Sequence, residues 1–246
     1  MSRLKSKVII ITGGNGLIGK EVVLRLKSEG ATCVNIDINQ DTTSDLSNIN
    51  CDITNFKSID DAIELIIKKY NKIDGLVNNA YPRTKDWGNK FEEIEITSWQ
   101  NNIDWQLNSY FYFIQKVSRH MINKEYGSIV NIASVYGIVG PDFTVYEGTD
   151  LTMPAAYSVI KGGLINFTRY LASYLGPKKI RVNCVSPGGI FDNQNPIFIE
   201  NYNKKVPMKR MGLPKDISPT IAFLLSDDSS YITGQNIAID GGWTAI

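Results

Sequence analysis

Short apolar runs alternate along the chain with longer segments in which apolar residues recur every three or four positions. Val8 to Thr12, Thr32 to Asp37, Gly75 to Asn79, Ser128 to Ser134, Arg181 to Ser186 and Asn236 to Asp240 read as strands. Several lack polar alternation, the pattern of parallel strands covered on both faces. Ile59, Ile63, Ile66, Ile67 and Tyr70 share one helical face, as do Leu164, Phe167, Leu171 and Leu175 ahead of the Gly176-Pro177 stop. Strand, helix, strand repeated in this way predicts one α/β domain on a doubly wound parallel sheet with right-handed crossovers.

Three stretches carry little pattern: 81–95, 136–154 and 191–211. Each follows the C-terminal end of a strand, where open α/β sheets hold ligands, so all three are expected to be substrate loops of a single domain spanning 1–246.

Composition narrows the partners. The 246 residues are 43% hydrophobic and carry a net charge of +1, with no basic cluster interleaved with aromatics, so neither nucleic acid nor a membrane surface is expected. Cys33, Cys51 and Cys184 stand apart without metal-ligand spacing, and His120 is the sole histidine. No metal is therefore expected. The first apolar run is too short for a signal-peptide core and no run reaches bilayer length, which points to a soluble, cytoplasmic protein acting on a small molecule.

The stretch TGGNGLIG, residues 12–19, turns from the first strand into a helix that should start near Leu17. A helix start offers unpaired N–H groups and partial positive charge to a phosphate, and glycine admits the close approach. Gly13, Asn15, Gly16, Leu17, Ile18 and Gly19 are the candidate cradle. Asp37 ends the second strand 18 residues beyond Gly19, near the roughly 20-residue offset at which an acid meets the adenosine ribose. A carboxylate there accepts from a 2′-hydroxyl and repels a 2′-phosphate, which predicts NAD in preference to NADP.

Proton transfer needs a group whose pKa can be brought toward neutrality, and a lysine one helical turn from a tyrosine favours the phenolate. The spacing YxxxK occurs four times: Tyr81/Lys85, Tyr112/Lys116, Tyr157/Lys161 and Tyr174/Lys178. Pro82 and Gly176-Pro177 break helical geometry for the first and last. Tyr112/Lys116 lies in an aromatic helix face and has no hydroxyl preceding it at a strand end. Tyr157/Lys161 follows the strand ending in Ser134, which can hold a substrate oxygen within reach of the phenol.

These pieces in order resemble the short-chain dehydrogenase/reductase family over nearly the whole chain. The matching stretches are TGGNGLIG, Asp37, CDI at 51–53, NNA at 78–80, NIAS at 131–134, YSVIK at 157–161, RVNCVSPGGI at 181–190 and TGQNIAIDGG at 233–242. The resemblance implies a single-domain Rossmann fold of about seven strands, a nicotinamide cofactor, and hydride transfer between a carbinol and a carbonyl. It implies that Tyr157 moves the proton, that Lys161 lowers its pKa and binds the nicotinamide ribose, and that Ser134 orients the substrate. Asp52 and Ile53 would flank adenine, Asn79 and Ala80 would line the cleft, and Pro187, Gly188 and Ile190 would meet the nicotinamide. A homodimer or homotetramer is also implied, with Tyr110 to Phe113 and the helix from Gly162 to Leu175 as contact faces.

The chain departs from the pattern in five places. Leu17 stands where the short members carry glycine, giving a spacing similar to nucleotide-sugar epimerases and dehydratases. Ser134 and Tyr157 are 23 residues apart, an insertion whose Tyr136, Phe143, Tyr146 and Glu147 suit a sugar ring. Gln106 occupies the catalytic asparagine position, counted forward from Trp99 or back from Met121, with Asn108 the alternative if the register shifts. Tyr81 replaces the usual glycine after NNA, and Asp192 the usual threonine after PGGI. NNAYPR, SVYGIVGPDF and YEGT further resemble oxidoreductases encoded with surface-sugar and flagellin-modification enzymes. The leading expectation is an NAD-dependent oxidoreductase of a polar, sugar-like substrate; an epimerase or dehydratase with tightly held NAD, and a cofactor sensor without turnover, are the alternatives.

Overall fold

Val8–Thr12 (β1), the apolar run before the glycine turn, lies third from one edge of a seven-stranded sheet in the computed structural model, which describes residues 2–246. Strands β2 (Thr32–Asp37), β3 (Asn48–Asn50), β4 (Gly75–Asn78), β5 (Gly127–Ile132), β6 (Ile180–Pro187) and β7 (Asn236–Ile239) complete it. Their order is β3-β2-β1-β4-β5-β6-β7, and every neighbouring pair is parallel. The order reverses between β1 and β4. That switch point opens a crevice at the strand C-termini.

Helices α1 (Leu17–Ser28) and α7 (Pro214–Leu225) cover one face; α2 (Phe56–Tyr70), α4 (Ser109–Lys124) and α5 (Ala155–Leu175) cover the other. Side chains alternate along a strand, and β1 divides accordingly. Val8 and Ile10 join Ile63, Phe113 and Leu164 in one core, whereas Ile9 and Ile11 join Val22, Leu26 and Ile221 in the other. Each buried side chain of this size contributes roughly 1.5–3 kcal/mol, so both faces hold β1 in register.

Two expectations change here. The sequence pattern missed β3, whose Asn-Ile-Asn has one apolar residue; polar side chains stabilise it instead, with the Asn35 amide donating to Asn48 Oδ1 at 3.1 Å and Thr42 Oγ1 accepting from Asn50 N at 3.0 Å. The stretch 191–211 is also more than a loop. It contains α6 (Pro196–Lys205), started by Asn195, whose side chain accepts from the Ile197 amide. Val145 from the 136–154 insertion packs with Phe198, Tyr202, Val206 and Met211 in a separate small core bordered by Trp243. The insertion, α6 and the chain's tail thus form one lobe beside the crevice.

Candidate functional site

At the crevice, Gly13 has φ of +67°, and a Cβ there would lie 2.7 Å from Ala80 Cα. Asn79 clamps the turn from below, donating to the Thr12 and Gly13 carbonyls at 3.0 and 2.9 Å. Gly16 caps α1 without a side-chain acceptor, and the first turn, with Leu17, Ile18 and the buried Gly19, holds no acid. Its N–H groups keep their partial positive charge for an anion. Asp37 stands beside this turn: its two oxygens accept from the Asn15 and Asn39 amides, each at 3.0 Å. A positively polarised turn with a carboxylate at its flank fits a dinucleotide's pyrophosphate and ribose. Asp52 turns to Thr54, accepting from its amide and hydroxyl at 2.9 and 2.8 Å, and Ile53 is buried with the α2 face.

Further along the crevice, α5 carries Tyr157 and Lys161 on one face, and Ser134 follows the end of β5. Lys161 is buried; its ammonium donates to the Ile132 carbonyl at 2.7 Å and lies 5.5 Å from the centre of the Tyr157 ring. Burial brings its pKa down to about 8. Tyr157 departs from expectation. Burial pushes its phenol above the ordinary range, with the Ser134 hydroxyl pulling the other way. An ammonium that spends its short hydrogen bond on a carbonyl, above an aromatic ring, leaves desolvation to dominate the phenol.

Tyr81 and Trp87 stand edge-on to Tyr157, at 5.8 and 6.2 Å between ring centres. Their loop is held by the helix that precedes α4. Helix α3 (Ile96–Ile103) passes into a π-helical turn, Asp104–Asn108, whose extra residue per turn sets the buried Gln106 facing inward. Gln106 Nε2 donates to the Pro82 carbonyl at 2.8 Å, and its Oε1 is buried without a partner among the described residues. One turn earlier, Asn102 exchanges hydrogen bonds with Thr84. Asn108 instead bonds Asp104 on the exposed side, so the crevice side of the turn belongs to Gln106.

On the opposite wall Pro187, Gly188 and Ile190 leave β6, and Gln194 spans the next turn. Its amide donates to the Ile190 carbonyl at 2.7 Å and accepts from the Asp192 N–H at 2.8 Å; the exposed Asp192 side chain takes no part. Trp87, beside Tyr157, and Tyr202 and Trp243, in the lobe, were not singled out by sequence. The Asn195-Pro196 helix start could have drawn attention to Tyr202, because proline after an Asn cap marks a helix.

The chain matches the family described as enoyl-(acyl carrier protein) reductase over residues 15–244. It is 35% identical over 253 residues to post-translational flagellin modification protein A of Campylobacter coli, covering 98% of this chain and 99% of that protein. It is 34% identical to 7alpha-hydroxysteroid dehydrogenase of Bacteroides fragilis, covering 99% of this chain and 96% of that one. A short-chain dehydrogenase from Leptospira borgpetersenii, solved with bound NAD+, superposes with a TM-score of 0.89 at 37% identity, over 98% of this chain and 94% of that one. The chain belongs to the short-chain dehydrogenase/reductase family.

As a short-chain dehydrogenase/reductase it is an oxidoreductase of hydroxyl and keto groups that uses a nicotinamide cofactor. The sensor without turnover is set aside. The other tyrosine–lysine pairs serve elsewhere: Tyr112 donates to Asp60, which also pairs with Lys116. Lys178 lies 3.9 Å over the Tyr174 ring, brought there by a short 3-10 turn despite Gly176-Pro177. No helix of the described residues is long and apolar enough to cross a membrane.

Proposed function

We propose that this short-chain dehydrogenase/reductase works with NAD on a hydroxyl or ketone of a polar, sugar-like substrate. The observation that carries the reading is the convergence of Ser134, Tyr157 and Lys161 with an aromatic lobe. The nicotinamide, when bound, supplies or accepts the hydride. Tyr157 gives its proton to the carbonyl oxygen in reduction and takes it back in oxidation, and Ser134 holds that oxygen. A phenol carries its proton at neutral pH, as the acid role requires, and the Ser134 hydroxyl opposes the upward push of burial. Lys161 holds the nicotinamide ribose, and the unpartnered Gln106 Oε1 takes the catalytic asparagine's place in the proton path.

Gly13, Asn15, Gly16, Leu17, Ile18, Gly19 and Asn79 hold the pyrophosphate end, and Asp37 favours a free 2′-hydroxyl. Similarity alone does not choose the substrate, since relatives of near-equal identity bear flagellin-modification and hydroxysteroid names. The lobe favours a sugar. Tyr136 and Trp243 meet edge-on at 6.3 Å, and the Tyr136 and Tyr146 hydroxyls hydrogen-bond each other, so the lobe joins flat faces for a ring's C–H groups to a polar pair that can extend to its oxygens. The protein acts in the cytoplasm as a homodimer or homotetramer, through the aromatic faces of α4 and α5.

Reduction of NAD+ and NADP+ with a panel of aldoses, polyols and sugar nucleotides tests the reading. Net NADH formation with a sugar, at a higher kcat/KM than NADPH formation, is expected. Turnover of hydroxysteroids alone, or epimerisation without net NADH, would overturn the substrate assignment.

A further inference from the structure

The wall segment Pro187-Gly188-Gly189-Ile190 is held from outside by one phenol. Tyr202, on α6, is buried, and its hydroxyl accepts from the Gly189 N–H at 2.6 Å. The Gly189 carbonyl accepts from the Gly212 N–H at 2.9 Å, so both backbone polar groups of this residue are fixed. Neither Gly188 nor Gly189 has positive φ, so conformation does not demand glycine there. Proximity does. A Cβ on Gly188 would lie 2.7 Å from the Tyr202 hydroxyl, and one on Gly189 would lie 2.8 Å from its ring.

The ring's other contacts lead to the substrate side. Tyr202 stacks on Trp243 at 4.8 Å and 10°, and Trp243 meets Tyr136, two residues beyond Ser134. Phe198 borders the same ring at 6.0 Å. One side chain therefore joins the core of the lobe to the backbone facing the nicotinamide end of the crevice.

We infer that Tyr202 is a positioning residue for the nicotinamide, setting the seat of Pro187 to Ile190 from the packing of the substrate lobe. The inference rests on the proposed nicotinamide contact of that segment. It gives the two glycines a reason: they let a phenol lie flat against the strand end. It also ties the lobe's order to how firmly the nicotinamide half of the cofactor is held, while the adenosine half at Asp37 and the glycine turn is untouched.

Isothermal titration of Tyr202→Phe with NADH and with ADP-ribose separates the halves. The ring stays, so the thermal midpoint should stay within a few degrees of wild type. Loss of one neutral hydrogen bond should raise the NADH Kd about fivefold. The ADP-ribose Kd should be unchanged. Trp243→Leu, which removes the stacking face, should give the same split with a smaller NADH effect. An unchanged NADH Kd, or equal weakening of both ligands, would overturn the role of Tyr202 and leave the cofactor assignment standing. If wild-type protein binds neither ligand, the cofactor assignment fails and the inference with it.

Discussion

A buried ammonium lies beside a buried phenol in the crevice, and its cost is measurable. Lys161 has its folded pKa lowered to about 8 from the ordinary lysine value by burial, so the folded protein binds fewer protons than the unfolded chain between about pH 8 and 10.5. The penalty of charging Lys161 is fully present below pH 8 and is relieved as pH rises through that window. Lys161→Met removes it. The stability of the variant minus that of wild type should therefore fall between pH 8 and 10.5, as read from urea midpoints; a pH-independent difference would show that Lys161 is solvated. That Tyr157, Lys161 and Ser134 lie together was legible, because Pro82 and Gly176-Pro177 set two of the four YxxxK spacings aside and only Tyr157/Lys161 of the rest follows a strand ending in serine. The direction of the Tyr157 shift was not, since spacing says which groups are near but nothing of how deeply they are desolvated. Likewise Gln106 could be placed by counting, but only the π-helical turn shows that it, and not Asn108, faces inward.

Secondary structure was readable wherever apolar residues set the period. Six of seven strands announced themselves through runs such as Val8 to Thr12, whereas β3 depends on amide and hydroxyl side chains that leave no hydrophobic trace. The lobe was hidden for a different reason: Phe198, Tyr202 and Val206 recur every four residues along α6, but the Val145 that completes their core comes from the 136–154 insertion, and local periodicity does not show which distant segment packs on a helix. Because this core is small and separate from the two sheet faces, it should fail separately. Val145 is fully buried, and Val145→Asp would place an unpaired carboxylate among apolar side chains. Limited proteolysis should then cut within 136–154, sugar turnover should fall at least about a hundredfold, and ADP-ribose binding should persist. Protease resistance equal to wild type would show that the insertion does not depend on this core.

For the whole molecule, strand order and two covered faces follow from alternation of strand and helix, and the crevice follows from the order reversal at β1 and β4. What one chain does not bury points to its assembly. Phe111 on α4 is 47% exposed and lies 5.9 Å from Phe167 on α5, with Tyr170 and Tyr174 continuing the exposed row. Phe111→Asp should convert the proposed dimer or tetramer to smaller species in light scattering; an unchanged mass would move the contact elsewhere. The account as a whole turns on Tyr157 as the group that moves the proton. Steady-state kinetics of Tyr157→Phe, with NADH affinity measured alongside, tests this most directly. A loss of about three orders of magnitude in kcat with NADH affinity within about threefold of wild type is predicted; turnover within about tenfold of wild type would contradict it.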